Sequence, residues 1–195
     1  MTHVETRHAI HPDHAKGMDT AELRRHFLAE GVFADGQIRL VYAHYDRFVI
    51  GGAVPAGGSL VLDRIEETKT DSFLERREMG IVNIGETGTV AAAGQSWDMQ
   101  KGDVLYLGMG SGAVTFSGQG RFYLASAPAH RGLPCRLVTV GEAKEVRLGA
   151  VETSNKRTIR QFIHPLVMES CQLVLGYTTL EDGSVWNTIP SHVHD

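Results

Sequence analysis

Cysteine is nearly absent: Cys135 and Cys171 are the only two among 195 residues. Two cysteines make no disulfide framework, which excludes the small, bridge-stapled class of secreted domains. A charge surplus is lacking too. Lys and Arg number 19 against 23 Asp and Glu, for a net charge of −4 and a pI of about 6.2. Such a balance carries no broad basic field for nucleic acid or an anionic membrane surface. No apolar run is long enough to span a bilayer. The start, Met1-Thr2-His3-Val4-Glu5-Thr6-Arg7, leads into no signal-type apolar stretch. These absences predict a soluble, cytoplasmic protein, with no nucleic acid and no membrane as its partner.

What is present is glycine, 22 residues against only 6 prolines, within an ordinary globular balance of 42% hydrophobic and 22% charged residues. Many of the glycines punctuate short apolar runs, which predicts an all-β protein with many turns. β-Branched and aromatic runs fall at 38–42, 47–54, 73–84, 89–93, 96–99, 104–107, 114–116 and 122–127. Turn residues separate them at short, regular spacing, the pattern of a barrel or sandwich. Strand signals resume at 171–180 and 184–189, after a connector with short strands. Ahead of the first strand lies a polar arm with His3, His8, His11 and His14, which receive no ligand role. One helix follows the arm. Asp19 with Glu22 reads as a capping box, Leu23, Phe27 and Leu28 as an apolar stripe, and Gly31 as the stop.

Chemistry gathers at the far end, where His192 and His194 are two apart. In an extended segment both imidazoles point one way, with Cα atoms roughly 6.6 Å apart, so both can reach one metal ion. Spacing alone leaves two readings: part of a metal site, or two solvated histidines on a polar tail.

Two stretches resemble the paired motifs of the cupin superfamily. Glu78-Met79-Gly80-Ile81-Val82-Asn83-Ile84-Gly85 matches the tail of motif one, and Gly102-Asp103-Val104-Leu105-Tyr106-Leu107-Gly108-Met109-Gly110 the start of motif two. The usual ligands are missing. No histidine stands just ahead of Glu78, and Ala113 occupies the motif-two histidine position. This barrel is therefore expected to hold no transition metal, and Glu78 to pair with Arg76 or Arg77.

The chain as a whole resembles the 5-keto-4-deoxyuronate isomerases, a bicupin family of pectin breakdown. The resemblance rests on Val41-Tyr42-Ala43-His44-Tyr45-Asp46-Arg47, Phe73-Leu74-Glu75-Arg76-Arg77-Glu78-Met79-Gly80 and Ala127-Pro128-Ala129-His130. It continues through Thr153-Ser154-Asn155-Lys156-Arg157-Thr158-Ile159, Cys171-Gln172-Leu173, and Trp186-Asn187-Thr188 up to His194. It implies an arm and helix over 1–31, a degenerate cupin barrel over 32–133, a connector over 134–155 and the start of a second barrel over 156–195. It further implies a zinc-dependent ketol-isomerase acting on a small carboxylated sugar, assembled as a homo-hexamer.

Of the family's zinc ligands, the resemblance places two on His192 and His194. A glutamate and a further histidine have no counterpart, so the chain reads as ending inside the second barrel, and residues 1–195 alone as inactive and weak in zinc. The alternative is a non-catalytic structural or sugar-acid-binding cupin fragment. Arg157 is the candidate for the substrate carboxylate, with Gln172 and Asn187 as hydroxyl contacts. Each also has a plain structural explanation, a surface ion pair for Arg157 and backbone hydrogen bonds for the two amides.

Overall fold

A computed structural model of the chain describes residues 1–188. Strand β1 (Thr2–Arg7) leads to a short helix, α1 (Pro12–Ala15), and then to α2 (Thr20–Phe27). The next strands are β2 (Gln37–Ala43), β3 (Val49–Val54), β4 (Ser59–Leu62), β5 (Arg77–Asn83) and β6 (Gly88–Ala92). They are followed by β7 (Gln95–Met99), β8 (Val104–Leu107), β9 (Val114–Gly118) and β10 (Phe122–Pro128). The last four are β11 (Arg136–Val138), β12 (Lys144–Leu148), β13 (Arg157–Ile163) and β14 (Leu175–Leu180). The all-β class read from the turn-rich sequence is the observed one.

Strands pair in a nested antiparallel order: β3 with β10, β4 with β9, β5 with β8, and β6 with β7. That nesting is the signature of a jelly roll. Hydrogen bonding divides it into a seven-stranded sheet, β1-β2-β3-β10-β5-β8-β11, and a four-stranded sheet, β4-β9-β6-β7. The expected barrel is thus two facing sheets, not one closed hydrogen-bonded ring. Between them lies a single core. Leu40, Met79, Ile81, Leu105 and Leu124 from the large sheet meet Leu62, Val90, Met99, Val114 and Phe116 from the small one.

A third layer covers the other face of the large sheet. Strands β12, β13 and β14 form a separate three-stranded sheet. Side chains alternate along a strand, so Met79 and Ile81 face the inner core while Glu78, Gly80 and Val82 face outward. There Val82, Val104 and Tyr106 pack with Phe162, Ile163 and Leu173 in a second core. Every residue of β5 and β8 is buried as a result. Close approach requires a glycine at position 80, where a Cβ would lie 2.9 Å from both Ile163 Cδ1 and Leu175 Cδ1.

Several local expectations shift. The capping box of α2 is present, with Asp19 accepting from Glu22 N and Glu22 accepting from Asp19 N. The helix ends at Phe27, and Leu28 turns extended before Gly31 is reached. Its apolar stripe stays largely exposed, Phe27 at 50%. The polar arm contributes β1, which runs parallel to β2 as the sheet's first strand. Residues 73–76 form a turn in which Phe73 and Leu74 are buried, not the beginning of β5, and 184–188 carry no strand. Strand β4 follows the Gly57-Gly58 turn and had no place in the sequence reading.

Candidate functional site

The outward face of β5 brings Glu78 beneath residues 171–173. Its side chain is fully buried. Oε1 accepts from the backbone N–H groups of Gln172 and Leu173, both at 2.6 Å, and Oε2 from Cys171 N at 2.8 Å. The Tyr106 hydroxyl, on the neighbouring strand β8, donates to Oε2 at 2.5 Å. A carboxylate removed from water is tolerated only when donors replace its solvent, and here four do so. Burial, and next the hydrogen bond to Glu78, push the Tyr106 phenol well above its ordinary value of 10.0. The Glu78 carbonyl is held as well, by Ser126 Oγ at 2.7 Å.

This corrects the expected pairing with Arg76 or Arg77. Neighbouring residues on a strand face opposite ways, so Arg77 turns from Glu78. Arg77 instead donates to Ser126 Oγ, Ser126 O and Arg47 O, at 3.1, 2.8 and 2.8 Å. It lies buried over the Phe73 ring, and burial is the main cause that lowers its pKa to about 10. Arg76 contacts Glu75. Glu78 is a tie between β5 and the third layer.

Gln172 belongs to the same tie. Besides its backbone bond to Glu78, its Nε2 donates to Pro128 O at 2.8 Å. It lines a polar cleft of about 560 Å³ together with Asp46, Arg47 and Phe48. Asp46 and Arg47 sit at φ of 51° and 53°, the tight hairpin turn joining β2 to β3. Beside Gln172, the Cys171 thiol stands 3.3 Å from His130 Nδ1.

Arg157 opens strand β13 in a different cleft, of about 350 Å³, shared with Arg147, Lys156, Thr158, Arg160 and Glu181. Its Nη1 donates to Asn155 O at 3.0 Å, and its guanidinium lies 6.0 Å from the Trp186 ring centroid. The structure therefore does not gather Arg157 and Gln172 into one cleft. Asn187 is exposed. His192 and His194 lie outside the described residues. Among the described residues, no group of three or more His, Cys, Asp or Glu side chains could hold a metal ion.

A family model described as the KduI/IolB family matches residues 27–195, most of the chain. The chain belongs to the KduI/IolB family. Within it, a 4-deoxy-L-threo-5-hexosulose-uronate ketol-isomerase of Agrobacterium fabrum is 71% identical over 195 residues, which cover 100% of this chain and 71% of that protein. A protein of the same name from Cereibacter sphaeroides is 63% identical over the same span, 71% of its length. One from Kineococcus radiotolerans is 45% identical, over 98% of this chain and 72% of its own. The chain is an isomerase of this family. Among solved structures, an IolB-like protein from Salmonella typhimurium LT2 overlaps 63% of this chain and 46% of its own, with a TM-score of 0.49 at 18% identity. No helix among the described residues is long and apolar enough to cross a membrane.

Sequence reasoning missed Tyr106, Arg160 and the Glu78 donors. The run Lys156-Arg157-x-x-Arg160 was a visible concentration of positive charge, although alternation on a strand turns Arg157 and Arg160 to opposite faces. Nothing local signalled that Tyr106 and residues 171–173 converge on Glu78.

Proposed function

We propose that the chain serves a zinc-dependent aldose–ketose isomerase that converts 5-keto-4-deoxyuronate to 3-deoxy-D-glycero-2,5-hexodiulosonate in the breakdown of pectin-derived uronates. The observation that carries this reading is the 71% identity to the Agrobacterium ketol-isomerase along the whole chain.

The reaction moves a proton between neighbouring carbons through an enediol. When bound, zinc supplies Lewis-acid polarisation of the substrate's carbonyl and adjacent hydroxyl oxygens. The donor chemistry fits this ion in part: His192 and His194 offer two imidazoles at a spacing that suits one metal, and a catalytic zinc takes at least three protein ligands. In this reading Arg157 holds the substrate carboxylate and Asn187 makes a hydroxyl contact, while Gln172, in a separate cleft and bonded to Pro128 O, is set aside. A homo-oligomer, hexameric by family resemblance, and a cytoplasmic setting belong to the same reading.

The test is direct. The full-length protein, given 5-keto-4-deoxyuronate, is expected to form the diketo acid, followed by NMR. A chelator is expected to stop turnover and added zinc to restore it, with His192→Ala and His194→Ala each removing the restoration. No conversion in the presence of zinc refutes the proposal.

A further inference from the structure

Helix α2 lies with polar residues toward its own sheet. Its half-buried positions include Glu22 and His26, whereas Leu23 is 41% exposed, Phe27 50%, and Leu28, at its end, 39%. A surface helix ordinarily does the opposite and turns its apolar stripe to the core. Leu23 and Phe27, four apart, are neighbours on the helix surface. The patch continues past them. The Tyr45 ring, 39% exposed, stands 6.4 Å from that of Phe27, and both border an apolar cleft of about 210 Å³ lined also by Val41, Phe48 and Ile50. Single exposed apolar residues are ordinary, but a joined group of them marks a docking surface.

Among the described residues, none of the third layer lines this cleft. That layer packs on β5, β8 and β11, in the half of the sheet away from β1 and β2. Residues 181–186 stay with it, Glu181 N donating to Lys156 O at 2.9 Å and Val185 N to Ser154 O at 2.8 Å. The charges on α2 point to the occupant. Asp19 and Glu22 make its start acidic, and Arg24, Arg25 and His26 make its last turn basic. Laid antiparallel on a second α2, the acidic turn of each helix meets the basic turn of the other, and the two macrodipoles oppose. A patch that complements its own image is what an isologous, two-fold contact requires. Arg25, 67% exposed, approaches Glu22 of its own helix only to 3.9 Å, so it can reach across.

We infer that α2 forms a two-fold contact between two copies of this chain, with Leu23 and Phe27 packed on the same residues of the partner and each acidic turn beside a basic one. The eight residues of α2 span only about 12 Å. A stable dimer buries roughly 800 Å² per partner, so this contact is one of several in a closed assembly. The inference rests on the homo-oligomer proposed above and is independent of the isomerase assignment. In a hexamer, two-fold contacts of this kind join two rings of three, and breaking them leaves the rings.

Light scattering on the full-length protein, as it elutes from a sizing column, reads the assembly mass. Leu23→Asp with Phe27→Asp, both at exposed positions, is expected to halve that mass while the circular dichroism of the fold is kept. Arg25→Glu alone is expected to raise the dissociation constant of the two halves by about tenfold, most at low salt, where the charges are least screened. Adding Glu22→Lys to Arg25→Glu is expected to recover part of that loss. Full mass in the double aspartate variant overturns the contact. It does so whether the denaturation midpoint is kept, as for a bare face, or lowered, as for a face covered by another part of the same chain. A dissociation constant unmoved by Arg25→Glu overturns the antiparallel arrangement. A monomeric parent protein overturns this contact and the homo-oligomer together, and turnover by that monomer leaves the isomerase reading standing.

Discussion

Replacing Glu78 by Gln should cost far more than an isosteric change suggests. The amide oxygen can keep the N–H groups of Gln172 and Leu173, the two that meet Oε1. The new NH₂ then faces Cys171 N–H and the Tyr106 hydroxyl, both donors to Oε2. Tyr106 can rotate its proton away and accept. The Cys171 amide cannot, and an enclosed N–H without an acceptor costs about 1–3 kcal/mol. The surviving bonds lose their charge assistance, roughly 1 kcal/mol each, since ionic hydrogen bonds are about twice as strong as neutral ones. Against this, a neutral amide is cheaper to bury than a carboxylate. The net expectation is a loss of about 2–4 kcal/mol, and more for Glu78→Ala, which strands all four donors. Equilibrium denaturation measures the total. Hydrogen exchange at the amides of 171, 172 and 173 localises it, since these three should be protected in the parent protein and fast in both variants. A loss under about 1 kcal/mol for Glu78→Gln, or an alanine variant no worse than the glutamine, refutes the reasoning.

Two further outcomes follow from the same layer. Tyr106 has a folded pKa raised above the 10.0 of the free side chain, so the unfolded chain loses that proton first. Stability from this group is complete below pH 10 and is lost as pH rises through the folded value, so Tyr106→Phe should flatten the alkaline limb of a stability–pH profile. An unchanged limb contradicts the raised pKa. Gly80→Ala places a methyl 2.9 Å from Ile163 Cδ1 and Leu175 Cδ1, and overpacking of this kind costs about 1–3 kcal/mol. Denaturation should show that loss, with the fastest exchange gained in β13 and β14. A neutral variant would mean that the third layer yields freely.

Much of the inner architecture was legible because it is written in local terms. The Asp19–Glu22 box is contained in four residues, and the strands from β5 to β10 are bounded by turn residues. Strand β1 escaped because its one apolar inward residue, Val4, makes a weak alternation in a polar segment. The third layer escaped for a different reason. An apolar run such as that of β8 reads the same whether one face or two are covered, and only the distant residues 162–173 reveal the second cover. Arg157 was noticed as a cation, but its cleft is completed by Arg147 on β12, in a stretch read as a connector.

The Glu78 tie also bears on how the protein is made. Glu78 precedes its backbone donors by 93 to 95 positions. At about 5–20 residues per second, a ribosome delivers β5 roughly 5–20 s before residues 171–173 arrive. For that interval the outward face of β5 and β8, with Val82, Val104 and Tyr106, has no cover. A charge near the start of such a strand keeps the face wet and discourages pairing with another nascent chain, the part played by gatekeeper residues in aggregation-prone segments. The same carboxylate then becomes the acceptor on which the late segment closes. Glu78 thus guards the strand while its cover is still missing and fastens that cover once residues 171–173 have emerged.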